Sequence, residues 1–175
     1  MFRFRFFYGI YNLCRPHFGA FFYERKELEH FFNLLCLLEA VYGCGKNCHY
    51  FAQGMDFRAK HKLADDVVQD IQEWIDEVFE VVYLGRGEKT PDYSALFRKA
   101  ATLIAAPEED DRRNFSALAD LLDKVLAYIQ QISDEGDLAA GEQDLLGRMA
   151  NRMQQRGGFL KQMLKVERGS DGVDR

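Results

Sequence analysis

A stripe of apolar side chains at helical spacing is the feature that most constrains the fold of this chain. Between positions 63 and 81 the apolar residues step by four, four, three, four and three, which places them on one narrow face of an α-helix. Similar periodicity recurs along most of the 175 residues, and strand-like alternation is almost absent. The sequence therefore predicts an all-α fold. The stripe consists of Leu63, Val67, Ile71, Trp74, Val78 and Val81.

Four long helices and one short helix account for the periodic segments. We expect the long helices at about 24–51, 56–84, 110–133 and 140–166, and the short one at about 92–104, between Pro91 and Pro107. This order predicts a four-helix bundle with a small helix in its long middle connection. Residues 1–23 should form an aromatic and basic extension, 24–166 a single domain, and 167–175 a flexible tail.

Charge and hydropathy limit the classes of partner. The net charge of -5 argues against a generally basic surface that coats nucleic acid. No segment reaches the roughly 18 uninterrupted apolar residues that a membrane helix needs, so we expect a soluble protein with no membrane contact.

The N-terminal extension permits two interpretations. Arg3, Arg5 and Arg15 alternate with aromatic residues, and no acidic residue precedes Glu24. A charged start followed by an apolar run resembles a signal peptide, but polar residues interrupt the run and the cleavage pattern is poor. We favour an extension on a cytoplasmic protein, with association with the nucleoid left open. Three arginines predict only weak, salt-sensitive contact with DNA phosphates.

The four cysteines do not indicate a disulfide scaffold. Cys14, Cys36, Cys44 and Cys48 lie in a chain rich in core-forming residues, so we expect reduced thiols. Cys44 and Cys48 are one helical turn apart beside His49, which leaves a thiolate metal site or a redox pair as an alternative. Buried thiols on a helix are the favoured interpretation.

The face opposite the apolar stripe carries candidate metal ligands. His61, Asp65, Asp76 and Glu80 fall within a sector of about 100° on the second long helix. Most such faces are simply solvated. However, His49 lies twelve residues before His61, near the end of the preceding helix. Two imidazoles with three carboxylates suit iron, manganese or zinc.

Helix geometry separates these ligands into two groups. His61 and Glu80 are nineteen residues apart, or about 28 Å along a straight helix, so they cannot share a metal within one chain. If two copies of the helix pack antiparallel about a twofold axis, the Asp76 and Glu80 end of one copy meets the His61 and Asp65 end of the other. Two identical sites result, each built from two subunits.

The spacing of these five ligands resembles the intersubunit ferroxidase centre of the Dps family, the mini-ferritins that protect DNA in starved or oxidatively stressed bacteria. The resemblance covers about residues 26 to 165. It implies a ferritin-like dodecamer of twofold dimers that oxidises iron(II), preferably with hydrogen peroxide, and stores the ferric product. It also implies that His49 and His61 bind from one subunit, that Asp76 and a bridging Glu80 bind from its mate, and that Asp65 is a second-metal or water-mediated ligand. Zinc or manganese can occupy the same site.

The sequence departs from the family at two places. Tyr50 stands where family members usually have tryptophan, and the Lys-rich DNA-binding arm is missing. Family members line the threefold iron-entry pores with acidic residues near the loop between the third and fourth long helices. The candidates here are Asp134, Glu135, Asp137, Glu142 and Asp144.

Two other functions remain open from the sequence. One is a ferritin-like cage without oxidase activity, in which the metal site is structural. The other is an all-helical adaptor whose polar stripe binds a protein partner. We do not expect the inward-facing di-iron site of larger ferritins.

Overall fold

The computed structural model describes the backbone of residues 18–170 and the side chains of residues 26–165. All regular structure in this part of the chain is helical, which confirms the all-α class. The helices are α1 (Phe18–Phe51), α2 (Phe57–Val78) with a π-helical continuation (Phe79–Leu84), α3 (Tyr93–Ala101), α4 (Asp111–Glu135) and α5 (Ala140–Ser170).

Two helix ends differ from the predicted limits. Helix α1 begins at Phe18 instead of near Glu24, and α5 continues to Ser170 instead of ending near Val166. Extending an existing helix adds one hydrogen bond for each residue fixed, so helices lengthen readily where no proline interrupts them. Part of each predicted terminal segment is therefore helical. Arg3, Arg5 and Arg15 lie outside the described residues.

The four long helices contact one another in a closed cycle. Helix α1 packs against α2 and α4, and α5 packs against the same two helices. The short helix α3 packs against α1. The predicted stripe of α2 faces the core of this assembly, because four of its members are buried and Leu63 and Val81 are half-buried. No helix in the described part of the chain is both long and apolar enough to cross a membrane.

The end of α2 has an unusual backbone. The N–H of Gly85 donates to the carbonyl of Glu80 at 2.9 Å, a bond that spans five residues instead of four. Gly87 then adopts a φ of 70°, which glycine tolerates and which ends the helix as the sequence predicts. π-helical turns are often found at functional sites. This one holds Glu80, a predicted ligand.

A glycine allows α1 to approach α2 closely. A Cβ added at Gly45 would lie 2.9 Å from Val68 Cγ2, whereas one added at Gly147 on α5 would meet nothing within 4 Å. Val68 is buried, and its branched side chain has little rotamer freedom in a helix. We expect Gly45→Ala to destabilise the protein by about 1–2 kcal/mol. Gly147→Ala should stabilise it by about 0.4–1 kcal/mol.

Urea denaturation followed by circular dichroism, at one fixed chain concentration, measures both free energies of unfolding. The two variants make the same chemical change in a helix interior, so the opposite signs isolate the α1–α2 contact. Equal effects of the two substitutions would contradict the close approach.

Candidate metal centre

Two histidine rings meet where α1 ends and α2 begins. The turn between the helices brings His61 back onto His49, and their ring centroids are 3.7 Å apart. His61 Nδ1 lies 2.9 Å from the carbonyl oxygen of His49. Because a carbonyl can only accept, Nδ1 of His61 carries the proton and donates. In the neutral form of this ring the lone pair is then on Nε2, the nitrogen that can bind a metal.

The second ring has a nitrogen without a hydrogen bond. Nδ1 of His49 is buried and has no hydrogen-bond partner within the described part of the chain. It lies 4.0 Å from Asp65 Oδ1, which is too far for a hydrogen bond. A buried polar atom left unpaired costs free energy, and a shared ion is one way to satisfy it. These three side chains form what we call the histidine half-site: His49, His61 and Asp65.

The carboxylate half-site consists of Asp76 and Glu80, near the other end of α2. Both side chains are exposed, and within the described residues neither forms an ion pair. Glu80 projects from the π-helical turn. Exposed carboxylates without a cationic partner are available to bind a cation or a second chain.

The structure does not bring the two half-sites together within one chain. No group of three or more His, Cys, Asp or Glu side chains in the described residues could by itself hold a metal ion. This agrees with the helix geometry, which separates His61 from Glu80 by about 28 Å and Asp65 from Asp76 by about 16 Å. A complete set of the five predicted ligands requires a second subunit.

Exposed aromatic and apolar side chains surround the histidine half-site. Tyr50 lies edge-on to the His49 ring, with centroids 5.1 Å apart, and is 71% exposed. Phe57 lies 5.1 Å from the His61 ring, and Met55 is fully exposed between them. Clustered exposed apolar groups of this kind typically mark an interaction surface. The surface around His49 and His61 would have to contact a second subunit. Burying its exposed apolar side chains in such a contact is favourable.

A buried ion pair anchors the start of α2. Lys60, next to His61, lies 3.2 Å from Asp111 at the start of α4, and both side chains are about 8% exposed. Asp111 also accepts from the N–H of Gln53 in the turn between α1 and α2, at 3.0 Å. Since this carboxylate binds both the turn and α2, it fixes the angle at which the two histidines meet.

The predicted pore acids have different environments. Asp134 and Asp144 are exposed, and Glu135 pairs with Lys26 at 3.2 Å. Glu142, by contrast, is 2% exposed and binds Arg86 through both oxygens at 2.6 Å. Both oxygens of this carboxylate are therefore already bound inside the protein. Asp137 is exposed, and its backbone N–H donates to Glu27 Oε1 at 3.0 Å.

One Glu-x-x-His pair occurs in the sequence, formed by Glu27 and His30, whereas an inward-facing di-iron site needs two such pairs. Glu27 is buried against Arg86 at 2.7 Å. His30 instead contacts Tyr128, with 3.2 Å between its Nδ1 and the hydroxyl oxygen. The two side chains have separate partners, so they do not form half of such a site.

Three cysteines lie on α1 in the described part of the chain. Cys36, Cys44 and Cys48 are free and buried, as the favoured interpretation predicted. Hydrogen bonding with Cys44 and burial raise the pKa of Cys48, which keeps this thiol protonated.

Glu39 was not predicted to have a role, yet it is buried in the middle of α1 and accepts a hydrogen bond from Tyr93. Its only signal in the sequence is a single acid within an apolar run.

Comparisons with known proteins do not identify the chain. No protein-family model matches it, and the search of curated proteins found no match. Its function must therefore be argued from its own residues and their geometry.

Proposed function

We propose that this chain is a subunit of a ferritin-like, Dps-type cage that takes iron(II) as its substrate and oxidises it at sites shared by two subunits. The observation that carries the proposal is the histidine half-site. Two stacked imidazoles with a fixed tautomer, an unpaired buried nitrogen and an adjacent carboxylate form one side of a transition-metal site that lacks its remaining ligands.

The helix arrangement supports the ferritin-like part of the proposal. A closed cycle of four long helices, with α3 in the connection between α2 and α4, fits a four-helix bundle with one long crossover. The connections between α1 and α2 and between α4 and α5 are short, as hairpins require. The dodecamer of twofold dimers, acid-lined pores and weak DNA binding belong to the same proposal.

The chemistry assigns a separate role to each half-site. His49 and His61 bind iron(II) through imidazole nitrogen, and the carboxylates of Asp76 and Glu80 from the second subunit complete the site. Two iron(II) ions each give one electron to a peroxide, whose O–O bond breaks, and its oxygens leave as two hydroxides. Carboxylates stabilise the ferric product because its positive charge is higher. In this proposal Glu80 bridges the two ions, as the resemblance to the Dps family implies.

A helical adaptor without oxidase activity remains the second candidate, because the exposed apolar groups beside His49 would also suit a protein partner. Size-exclusion chromatography with light scattering on metal-free protein separates the two. We expect a particle near twelve subunits. Anaerobic iron(II) followed by peroxide should then give ferric absorbance faster than iron in buffer.

Matched variants locate the activity. Glu80→Gln removes a predicted ligand charge and should lower the rate at least about 100-fold, beyond the range typical of outer-shell changes. Glu88→Gln makes the same change at an exposed glutamate after the π-helical turn and should leave the rate unchanged. A monomer, or a cage in which Glu80→Gln is fully active, would reject the proposed function.

A further inference from the structure

A pocket of about 200 Å³ lies between α1, α2 and α3, apart from the histidine half-site. The polar groups that line the pocket are two carboxylates, two phenols and one amide, and each of them has an oxygen atom. Neither histidine nor cysteine lines it. The lining includes Glu39, Tyr42, Gln72, Asp76, Tyr93 and Phe97.

Glu39 is the unusual member of this set. It is 5% exposed, and no lysine or arginine in the described part of the chain pairs with it. Lys46 lies against the Tyr42 ring, 5.6 Å from its centroid. The hydroxyl of Tyr93 donates to Glu39 Oε1 at 2.6 Å, which satisfies one of the two carboxylate oxygens. Buried carboxylates are normally paired with a cation or bind a metal.

The donor chemistry identifies the class of ion. Carboxylate, phenol and amide oxygens are the ligands of hard cations, whereas zinc and copper sites normally include imidazole or thiolate. Asp76, on α2, supplies a second carboxylate to the lining of the same pocket. A cation bound there would offset the negative charge of both carboxylates.

We propose that this pocket is a binding site for a hard divalent cation, such as manganese(II) or calcium, with Glu39 and Asp76 as its charged ligands and Tyr93 as the residue that positions Glu39. The site lies within one chain. The proposal of this site does not depend on whether the protein oxidises iron. If the intersubunit site also forms, Asp76 is shared between the two, so the cation would sit beside the oxidation site.

Terbium(III) luminescence tests this site directly. Terbium prefers oxygen ligands, and tyrosine or tryptophan side chains sensitise its emission only when they are very close to it. The experiment uses the full-length His49→Ala/His61→Ala variant, in which the intersubunit site is disabled. We expect saturable emission with one terbium per chain, displaced by manganese(II) or calcium. Glu39→Gln in this background should weaken binding at least about tenfold, because a ligand charge is lost.

Two controls keep the result specific. Glu29→Gln, at an exposed position on the same helix, should not change binding. Tyr93→Phe should reduce the emission at saturation, whereas Tyr50→Phe at the exposed end of α1 should not. Circular dichroism checks that each variant is folded. Emission that never saturates, or that is unaffected by both Glu39→Gln and Tyr93→Phe, would overturn the site without affecting the iron-oxidation proposal.

Discussion

Mixing two inactive variants of this chain should restore iron oxidation to about a quarter of the wild-type rate. The first variant, His49→Ala/His61→Ala, has lost the histidine half-site, and the second, Asp76→Asn/Glu80→Gln, has lost the carboxylate half-site. In a dimer of one copy of each, one site receives intact histidines from the second variant and intact carboxylates from the first. The other site receives neither.

The expected fraction follows from random pairing. An equal mixture gives about half mixed dimers, and each mixed dimer has one intact site of two, hence about a quarter of the activity. The variants should be co-expressed, so that subunits can pair before the cage assembles. The rate of ferric absorbance after peroxide addition is the measurement.

Each variant alone is the essential control and should be inactive. Co-expressing either variant with Glu88→Gln should give a rate well above that of the variant alone, because the Glu88→Gln chain carries both half-sites. No recovery in the mixture of the two inactive variants, despite mixed dimers detected by mass, would show that the half-sites do not combine across subunits. Full activity of either variant alone would place the oxidation elsewhere.

The largest effect on stability is expected at Arg86. Arg86→Met should lower the free energy of unfolding by about 3–5 kcal/mol, the range for breaking a buried ion pair by removing one partner. Its guanidinium binds Glu142 at 2.6 Å and Glu27 at 2.7 Å, and these carboxylates are 2% and 6% exposed. Without Arg86, two buried negative charges, one within α1 and one near the start of α5, would lack a cationic partner.

Arg148→Met is the matched control. Arg148 also binds two carboxylates, Glu77 and Asp144, but its side chain is 47% exposed, so water screens the contact. We expect a much smaller change there. Urea denaturation at equal chain concentration gives both values, since assembly contributes to stability. A loss at Arg86 no greater than at Arg148 would refute the buried network.

Neutralising both acids gives a further check on the cause. An Arg86→Met/Glu27→Gln/Glu142→Gln variant carries neither of the two carboxylates that the loss of Arg86 leaves unpaired, so a substantial part of the lost stability should return. If the triple variant is less stable than Arg86→Met, packing by the arginine stem accounts for the effect and charge does not.

The helices could be predicted because helical periodicity is a local signal. The stripe on α2 lies in the core, and the glycines that follow Leu84 end the helix as expected. Helix α1 was predicted to begin too late and α5 to end too early. No proline lies between Phe18 and Glu24 or between Val166 and Ser170, so nothing stops either helix at its predicted limit. Nothing in the periodicity indicated the π-helical turn, in which backbone hydrogen bonds such as that from Gly85 to Glu80 span five residues.

The histidine half-site was partly predictable for the same reason. His49 and His61 are separated by one short turn, so their contact follows from two helices folding back on each other. The unpaired nitrogen of His49 and the tautomer of His61 did not follow, because they depend on backbone positions accurate to a fraction of an ångström.

By itself, the sequence determined the helical class, the buried face of α2, and the division of five candidate ligands into two groups too far apart for one chain. These depend on residue type and on the fixed rise of an α-helix. Only the tertiary structure decided which acids are free and which are paired. Arg86 meets Glu27 and Glu142 across 59 and 56 residues, and Glu39 meets Tyr93 across 54. Contacts over such separations arise from how helices pack, because no local pattern encodes which distant side chains come to face each other.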